Sequence, residues 1–324
     1  MNYKISVIIP TRGNIDNVVN IFGCLQNQTF QDFNVYLVID SKLDEEGFEM
    51  FKSSIINKLQ LNSDDFSQGA GLRDKKYNLI CNLNSDFNSE TGEGASYVRN
   101  YGLNLADGEF INFFDDDIIF DNDYLQKSLD YRNSFKTELG KDFVLTPTLM
   151  YKKTGQIQNQ GFKRYIFRQS RPQINFLKEK KSDFIQLYSG NSLFAPSSLF
   201  KQFQFDIDIN FVAEDLDFTY SMHKAGYPIL VLSELKVYHM EREKTMLQQA
   251  WVGDPLSAYQ KGKNRIIFVR KHGNIRQKIL FFAFGLRANN LRLILKINKY
   301  SKGKEKRKLI SSFLGGVRDG LFNY

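Results

Sequence analysis

The amino-acid sequence predicts an α/β fold built on a mostly parallel sheet. Three observations carry this reading. Apolar, strand-like runs occur at 4–9, 33–39 and 109–114; helical apolar spacing fills the stretches between them; and each run ends in a polar loop, at Thr11-Arg12-Gly13, Asp40 and Asp115-Asp116-Asp117. Strands that alternate with helices return in parallel, and ligands of such sheets bind beyond the carboxyl ends of the strands. The three polar loops are therefore expected to share one cleft.

Each element follows from its own pattern. Residues 4–9 read as a buried strand, and Ile15, Val18, Val19, Phe22 and Leu25 then recur at helical spacing behind Asn14, a suitable cap. Residues 33–39 form a second strand ending at Asp40, and a helix is expected near 45–59. Residues 61–93 are polar and carry little pattern apart from a short strand over Tyr77 to Cys81. Gly94 to Ala106 suits a helix stopped by Asp107-Gly108, and the strand over 109–114 runs into the aspartate triplet. Beyond about residue 120 the alternation loosens into a less regular half. A helix over Ala213 to Ala225 and strands over Ile229 to Leu232 and near Lys236 to His239 close it. The expected division is 1–118 for a nucleotide-binding half, 119–265 for a second half of the same domain, and 266–324 for a basic, helical tail.

The 324 residues, 42% hydrophobic and 25% charged, suffice for a substantial core. Cys24 and Cys81 lack metal-ligand spacing and read as small core residues of a reducing, cytosolic compartment. No secretion signal is expected, because the sequence passes from Met1 straight into a strand-like run, and the apolar run Ile279 to Leu286 is far shorter than the roughly 20 residues of a membrane span. Charge is uneven. From Lys261 onward 17 Lys and Arg face only Glu305 and Asp319, so the body is acidic and the tail basic, and an anionic partner for the tail is expected.

Three adjacent carboxylates at a strand end repel one another unless a cation neutralises them, which makes Asp115, Asp116 and Asp117 candidates for Mg²⁺ or Mn²⁺ ligation. A solvated acidic turn explains an isolated triplet equally well. Glu214-Asp215-Leu216-Asp217 opens a helix, where carboxylates gain from the dipole; a general base at Asp215 and simple dipole stabilisation are both open. His239, at a strand end, suits either Mn²⁺ or a core hydrogen bond. Trp251, the single tryptophan, suits a sugar-stacking face or the core, and Lys263-Asn264-Arg265 suits a diphosphate clamp or a solvated surface.

Taken in order, these segments resemble a family 2 glycosyltransferase of GT-A fold over about Ser6 to Arg270. The opening Ser6-Val7-Ile8-Ile9-Pro10-Thr11, then Gln28-Thr29-Phe30 and the strand into Asp40, resembles the family's nucleotide-binding start, although Ile39-Asp40 stands where an Asp-Asp pair is usual. Ala95 to Gly102, with Arg99 and Asn100, resembles the Ala-Arg-Asn-x-Gly segment, and Ala106-Asp107-Gly108 leads into a DxD-like Asp115-Asp116-Asp117. The resemblance implies nucleotide contacts from Pro10, Thr11, Arg12, Asp40, Arg99, Asn100, Asp115 and Asp116. It implies Mn²⁺ or Mg²⁺ on Asp117, Asp115 and His239, with Asp215 as base beside Glu214, and acceptor contacts from Gly190, Asn191 and Trp251.

The resemblance further implies inverting transfer from a nucleotide diphosphate sugar, UDP- or dTDP-linked, to a glycan or lipid-linked acceptor of surface polysaccharide or glycolipid synthesis. A non-catalytic nucleotide-sugar or glycan-binding scaffold is the competing expectation. A nucleotidyltransferase would need a Gly-rich phosphate loop that Pro10-Thr11-Arg12-Gly13-Asn14 does not supply. Apolar residues interleaved with cations from Ile279 to Ile297 suit helices on an anionic membrane surface, which would put a cytoplasmic protein at the inner face of the cell membrane. Packing back onto the body or between subunits explains the same pattern. Nucleic acid is not expected, because no binding motif accompanies the charge.

Overall fold

The structure, a computed structural model, describes residues 3–41, 43–68, 75–81, 94–177, 180–189, 192–240 and 245–324. Strand β1 (Ile5–Thr11) leads into helix α1 (Ile15–Gln26), where the Asn14 side chain accepts from the Asn17 N–H at 3.2 Å, as the cap pattern predicts. Strand β2 (Phe33–Ile39), helix α2 (Glu45–Leu59) and the short strands β3 (Phe66–Gln68) and β4 (Tyr77–Ile80) follow. Helix α3 (Ala95–Leu105) feeds β5 (Phe110–Phe114), and β6 (Ile118–Phe120) begins directly after the aspartate triplet.

The second half runs through α4 (Tyr124–Leu139), β7 (Val144–Tyr151), β8 (Ile157–Asn159), β9 (Phe162–Ile166), β10 (Arg171–Ile174), β11 (Ser182–Ile185), β12 (Ser192–Pro196) and α5 (Ser197–Phe200). It ends in α6 (Glu214–Lys224) and β13 (Ile229–His239). The tail then forms α7 (Pro255–His272), α8 (Ile275–Leu280), a π-helical turn over Phe281–Gly285, α9 (Leu286–Tyr300) and α10 (Gly303–Phe322).

One sheet runs through both halves in the order β11-β13-β7-β12-β5-β1-β2-β4-β3. Strands β1, β2, β4, β3 and β5 are mutually parallel neighbours, as are β7 and β13, so the mostly parallel α/β architecture expected from the sequence is the one found. The expected division near residue 118 is bridged by the sheet itself, because β12 pairs antiparallel with β5 from Ser192↔Phe114 to Pro196↔Phe110. The two strands expected at 229–232 and 236–239 are a single strand, β13, whose register shifts between Leu232 and Lys236.

Alternation along β1 builds two cores: Ile5, Val7 and Ile9 pack with α1 and the α4 side, while Ile8 packs with Val38, Val98, Leu103 and Ile111 under α3. Gly102 makes the second contact possible, since a Cβ there would lie 2.6 Å from Ile8 Cγ2. A third core joins the tail to the body through Phe167, Leu187, Phe268, Phe281, Ile297, Leu309 and Phe313. The tail is thus packed on its inner side. Cys24 and Cys81 are half-buried, and burial raises both thiols above their ordinary range. Among the described residues, no helix is long and apolar enough to cross a membrane.

Candidate active site

Parallel strands β1, β2 and β5 end side by side, which brings Thr11, Asp40 and the aspartate triplet to one edge. Thr11 Oγ1 accepts from the Gly13 N–H at 3.0 Å and donates to Asp116 Oδ2 at 2.5 Å. Asp40 is buried; its Oδ2 accepts from the Gly94 N–H at 3.3 Å and lies 3.9 Å from the mostly exposed Arg12 guanidinium. Gly94 adopts φ +91°, and a Cβ there would meet Asn210, so α3 begins in close contact with the loop that precedes α6. Pro10 sits one residue before the end of β1, opposite Val38.

The three aspartates of the triplet have different partners. Asp115 Oδ1 accepts from Arg99 at 2.8 Å, Asp116 is held by Thr11, and Asp117 Oδ2 lies 2.8 Å from His239 Nε2. The third contact follows from strand pairing: β6 runs antiparallel to the end of β13, with Ile118 opposite His239, and the Met240 N–H donates to the Asp117 carbonyl at 2.9 Å. Gln158 Oε1, 3.2 Å from Nδ1, fixes the other side of the imidazole. Asp117 Oδ1 is buried and has no hydrogen-bond partner among the described residues. Burial raises Asp116, and Asp117 adds to the shift. Asp115 is pushed up to about 6 by burial, opposed by Arg99 and reinforced by Asp117 and Asp215.

Arg99 is buried and bridges two segments, since its second nitrogen donates to Glu214 Oε1 at 3.0 Å. Burial alone would lower the guanidinium's pKa, but Asp115 and Glu214 together hold it above its ordinary value. Glu214 rises to about 7 through burial and the neighbouring Asp215, against the pull of Arg99. Asp217 is fully buried and committed to α7, with Lys271 Nζ and His272 Nε2 each at 2.7 Å. Of this acidic cluster, Asp215 is half-buried. Its Oδ2 accepts from Ser189 Oγ at 3.0 Å and its Oδ1 from the Leu216 N–H at 2.7 Å.

The turn into α6 is strained, because Val212 and Ala213 have φ +64° and +78°, a region that costs β-branched and other L side chains energy. Asn264 of α7 clasps it, donating to the Phe211 and Val212 carbonyls at 2.6 and 3.0 Å. Lys263 and Arg265 are buried between α7 and its tail neighbours, reaching Tyr324, Phe313 and Asn290; neither a diphosphate clamp nor a solvated surface describes them. Asn100 has both amide ends satisfied by the backbone of Phe205, at 2.8 Å each, and so braces the loop before α6 from within. Trp251 is 39% exposed and packs edge-on against Phe211 at 6.2 Å, at the rim of the strained turn. Gly190 and Asn191 lie outside the described residues.

The sequence does not single out Ser189 or Gln158, and it offers Asn264 only as part of a diphosphate clamp, whereas its amide holds the turn into α6. Their partners are 26 to 81 positions away, so only their polar character was visible.

Over 157 residues, 48% of this chain and 43% of the relative, the chain is 26% identical to the amylovoran biosynthesis glycosyltransferase AmsB of Erwinia amylovora. Over 129 residues, 39% of this chain and 41% of the relative, it is 31% identical to an uncharacterized glycosyltransferase of Haemophilus influenzae. The likeness in sequence is to glycosyltransferases. It spans about two fifths of the length of each curated relative. The crystal structure of S. aureus TarS 1-349 superposes over 99% of this chain and 92% of that one, with 17% identity and a TM-score of 0.48. No family model matches the chain.

Whether the residues present suit a divalent cation can be tested on their donors. Asp117 offers a buried oxygen without a partner and Asp115 a second carboxylate, the hard oxygens that Mn²⁺ and Mg²⁺ take, while the His239 imidazole suits Mn²⁺ better than Mg²⁺. Among the described residues, no three such side chains are already drawn together around one point. His239 and Asp117 instead contact each other.

Proposed function

We propose that the chain is an inverting, metal-dependent glycosyltransferase that moves a sugar from a nucleoside diphosphate sugar onto a hydroxyl of a glycan or lipid-linked acceptor. The single observation that carries the metal-binding part is the buried, unpartnered Oδ1 of Asp117, beside His239 and within electrostatic reach of Asp115. In this reading Asp117, Asp115 and His239 hold Mn²⁺ or Mg²⁺, which when bound offsets the charge of the departing diphosphate. Pro10, Thr11, Arg12 and Asp40 line the base and ribose side.

Asp215 removes the proton from the acceptor hydroxyl, whose oxygen then attacks the anomeric carbon opposite the leaving diphosphate, so a single carboxylate base suffices and the configuration inverts. Ser189 and the Leu216 N–H aim that carboxylate. Arg99 neutralises Asp115 and Glu214 and so ties the donor edge to the helix that carries the base. Trp251 borders the acceptor side. The Erwinia amylovora relative is named for amylovoran biosynthesis, which supports a role in polysaccharide assembly. The reading assigns the protein to the cytoplasmic side of the cell membrane, where two unpaired cysteines are ordinary.

The test is release of nucleoside diphosphate across a panel of UDP- and dTDP-sugars with Mn²⁺ or Mg²⁺, alongside donor-induced thermal stabilisation. Turnover should vanish with chelator and in Asp117→Ala. In Asp215→Asn it should fall by about 10²–10⁴ while donor stabilisation persists. Donor binding without turnover by the native chain, or an Asp215→Asn variant at full rate, would refute the proposal and favour a binding scaffold.

A further inference from the structure

The tail helices bury one side against the body and leave a second apolar side uncovered. Phe281, Leu286 and Ile297 belong to the third core, whereas Ile275, Ile279, Phe284, Leu291 and Leu295 are 76, 61, 61, 59 and 58% exposed. The exposed five are spaced by four, five, seven and four positions. An α-helix advances about 100° per residue, so steps of four and seven keep side chains on one stripe and a step of five carries the chain well past it. The five-residue step, Ile279 to Phe284, spans the π-helical turn over Phe281–Gly285, whose wider winding absorbs the extra residue and returns Phe284 to the stripe. Five large apolar side chains thus form one outward row about six helical turns long.

The surroundings of the row are cationic. Residues 275–300 carry six Lys and Arg and residues 301–308 five more, against Glu305 alone. Arg164 and Arg168 of the neighbouring β9 segment line an open cleft with Gln277 and Leu280 of α8. A second copy of the chain on this row would set like charge against like. An anionic bilayer complements both features, with apolar side chains entering the acyl boundary and cations meeting the headgroups.

We infer that α8, the π-helical turn and α9 form a docking surface for an anionic lipid bilayer. The surface is independent of the transferase reading, and a chain without turnover would still bind. In the proposed enzyme it would hold the cleft beside a membrane-borne acceptor. The test is co-sedimentation of the full-length chain with vesicles of phosphatidylcholine alone and of phosphatidylcholine mixed with phosphatidylglycerol. Binding is expected with the anionic vesicles only, and should be weakened by high salt.

Phe284→Glu and Ile279→Glu, at positions already in solvent, should keep the native circular dichroism and each weaken vesicle binding by about tenfold or more. Arg287→Glu should do the same with a shallower salt dependence. Equal binding to neutral vesicles, no binding to anionic ones, full binding by Phe284→Glu, or a dimer in analytical ultracentrifugation that Phe284→Glu disperses would each overturn the inference.

Discussion

Replacing Arg99 by Met tests the electrostatic frame of the site more directly than any loss of activity. Arg99 donates to Asp115 at 2.8 Å and to Glu214 at 3.0 Å, and its own side chain is 8% exposed. Removing one partner of a buried ion pair costs about 3–5 kcal/mol, because the remaining charge is left uncompensated. Two carboxylates are stranded here, but Asp115 keeps 29% of its side-chain exposure, which favours the lower half of that range.

The pH dependence gives the sign. Even with Arg99 present, Asp115 and Glu214 titrate near 6 and 7, above the ordinary carboxylate range, and without it they rise further. At about pH 8 the unfolded chain carries both carboxylates ionised in water, while the variant must bury them charged or hold protons against the solution. Near about pH 5 the folded variant protonates both at little cost, so most of the penalty disappears. Urea denaturation of parent and Arg99→Met at the two pH values should therefore show a loss of about 3–4 kcal/mol at the higher pH, falling by at least half at the lower. A loss independent of pH, or below about 1 kcal/mol throughout, would mean that Arg99 does not neutralise this pair.

Three further outcomes follow from the tail and the strained turn. Burial, with help from the charge of Arg265, lowers Lys261 from 10.5 to about 8, so between those values the unfolded chain binds more protons and stability rises with pH. Lys261→Met should stabilise the protein by about 2–3 kcal/mol at neutral pH in urea titrations, with the gain fading above about pH 10; a gain that grows with pH would contradict this. On α10, a Cβ at Gly316 would strike the Tyr259 carbonyl of α7, whereas at Gly315 the nearest atom is 3.9 Å away. Gly316→Ala should cost about 1–3 kcal/mol and Gly315→Ala gain about 0.5–1 kcal/mol, read as opposite shifts in melting temperature. Asn264→Leu removes the donor to two carbonyls at the positive-φ turn and should lower stability by about 1–3 kcal/mol and slow turnover with little change in donor binding. Unchanged turnover would separate that turn from the placement of Asp215.

What the sequence made legible is what local periodicity encodes. The strand-loop-helix opening, the cap at Asn14 and the strand running into Asp115 rest on residues within a few positions of one another, and each is found where the pattern puts it. Pairings between distant segments were not legible. The antiparallel insertion of β12 beside β5 and the meeting of β6 with the end of β13 depend on whole-sheet order, and the second of these carries His239 across 122 positions to Asp117. Three identical aspartates in a row also hide their division of labour, since composition cannot tell the one bonded to Arg99 from the ones facing Thr11 and His239.

The acidic cluster of α6 is different, because its division could be read from helix geometry. Glu214 and Asp217 are three apart and so lie within about 60° of each other, whereas Asp215 is turned about 100° from Glu214, away from Asp217. Glu214 and Asp217 are accordingly buried, at 8 and 0% exposure, and held by cationic partners, while Asp215 is only half-buried and accepts from Ser189. In the proposed enzyme, the carboxylate turned away from these two buried neighbours is the one assigned to the acceptor. On that ground the assignment of Asp215 as base rests on the angular order of the first helical turn as well as on resemblance. A variant that moved the acid to position 216, with Asp215→Leu and Leu216→Asp together, should keep the cluster's charge yet fail to restore turnover.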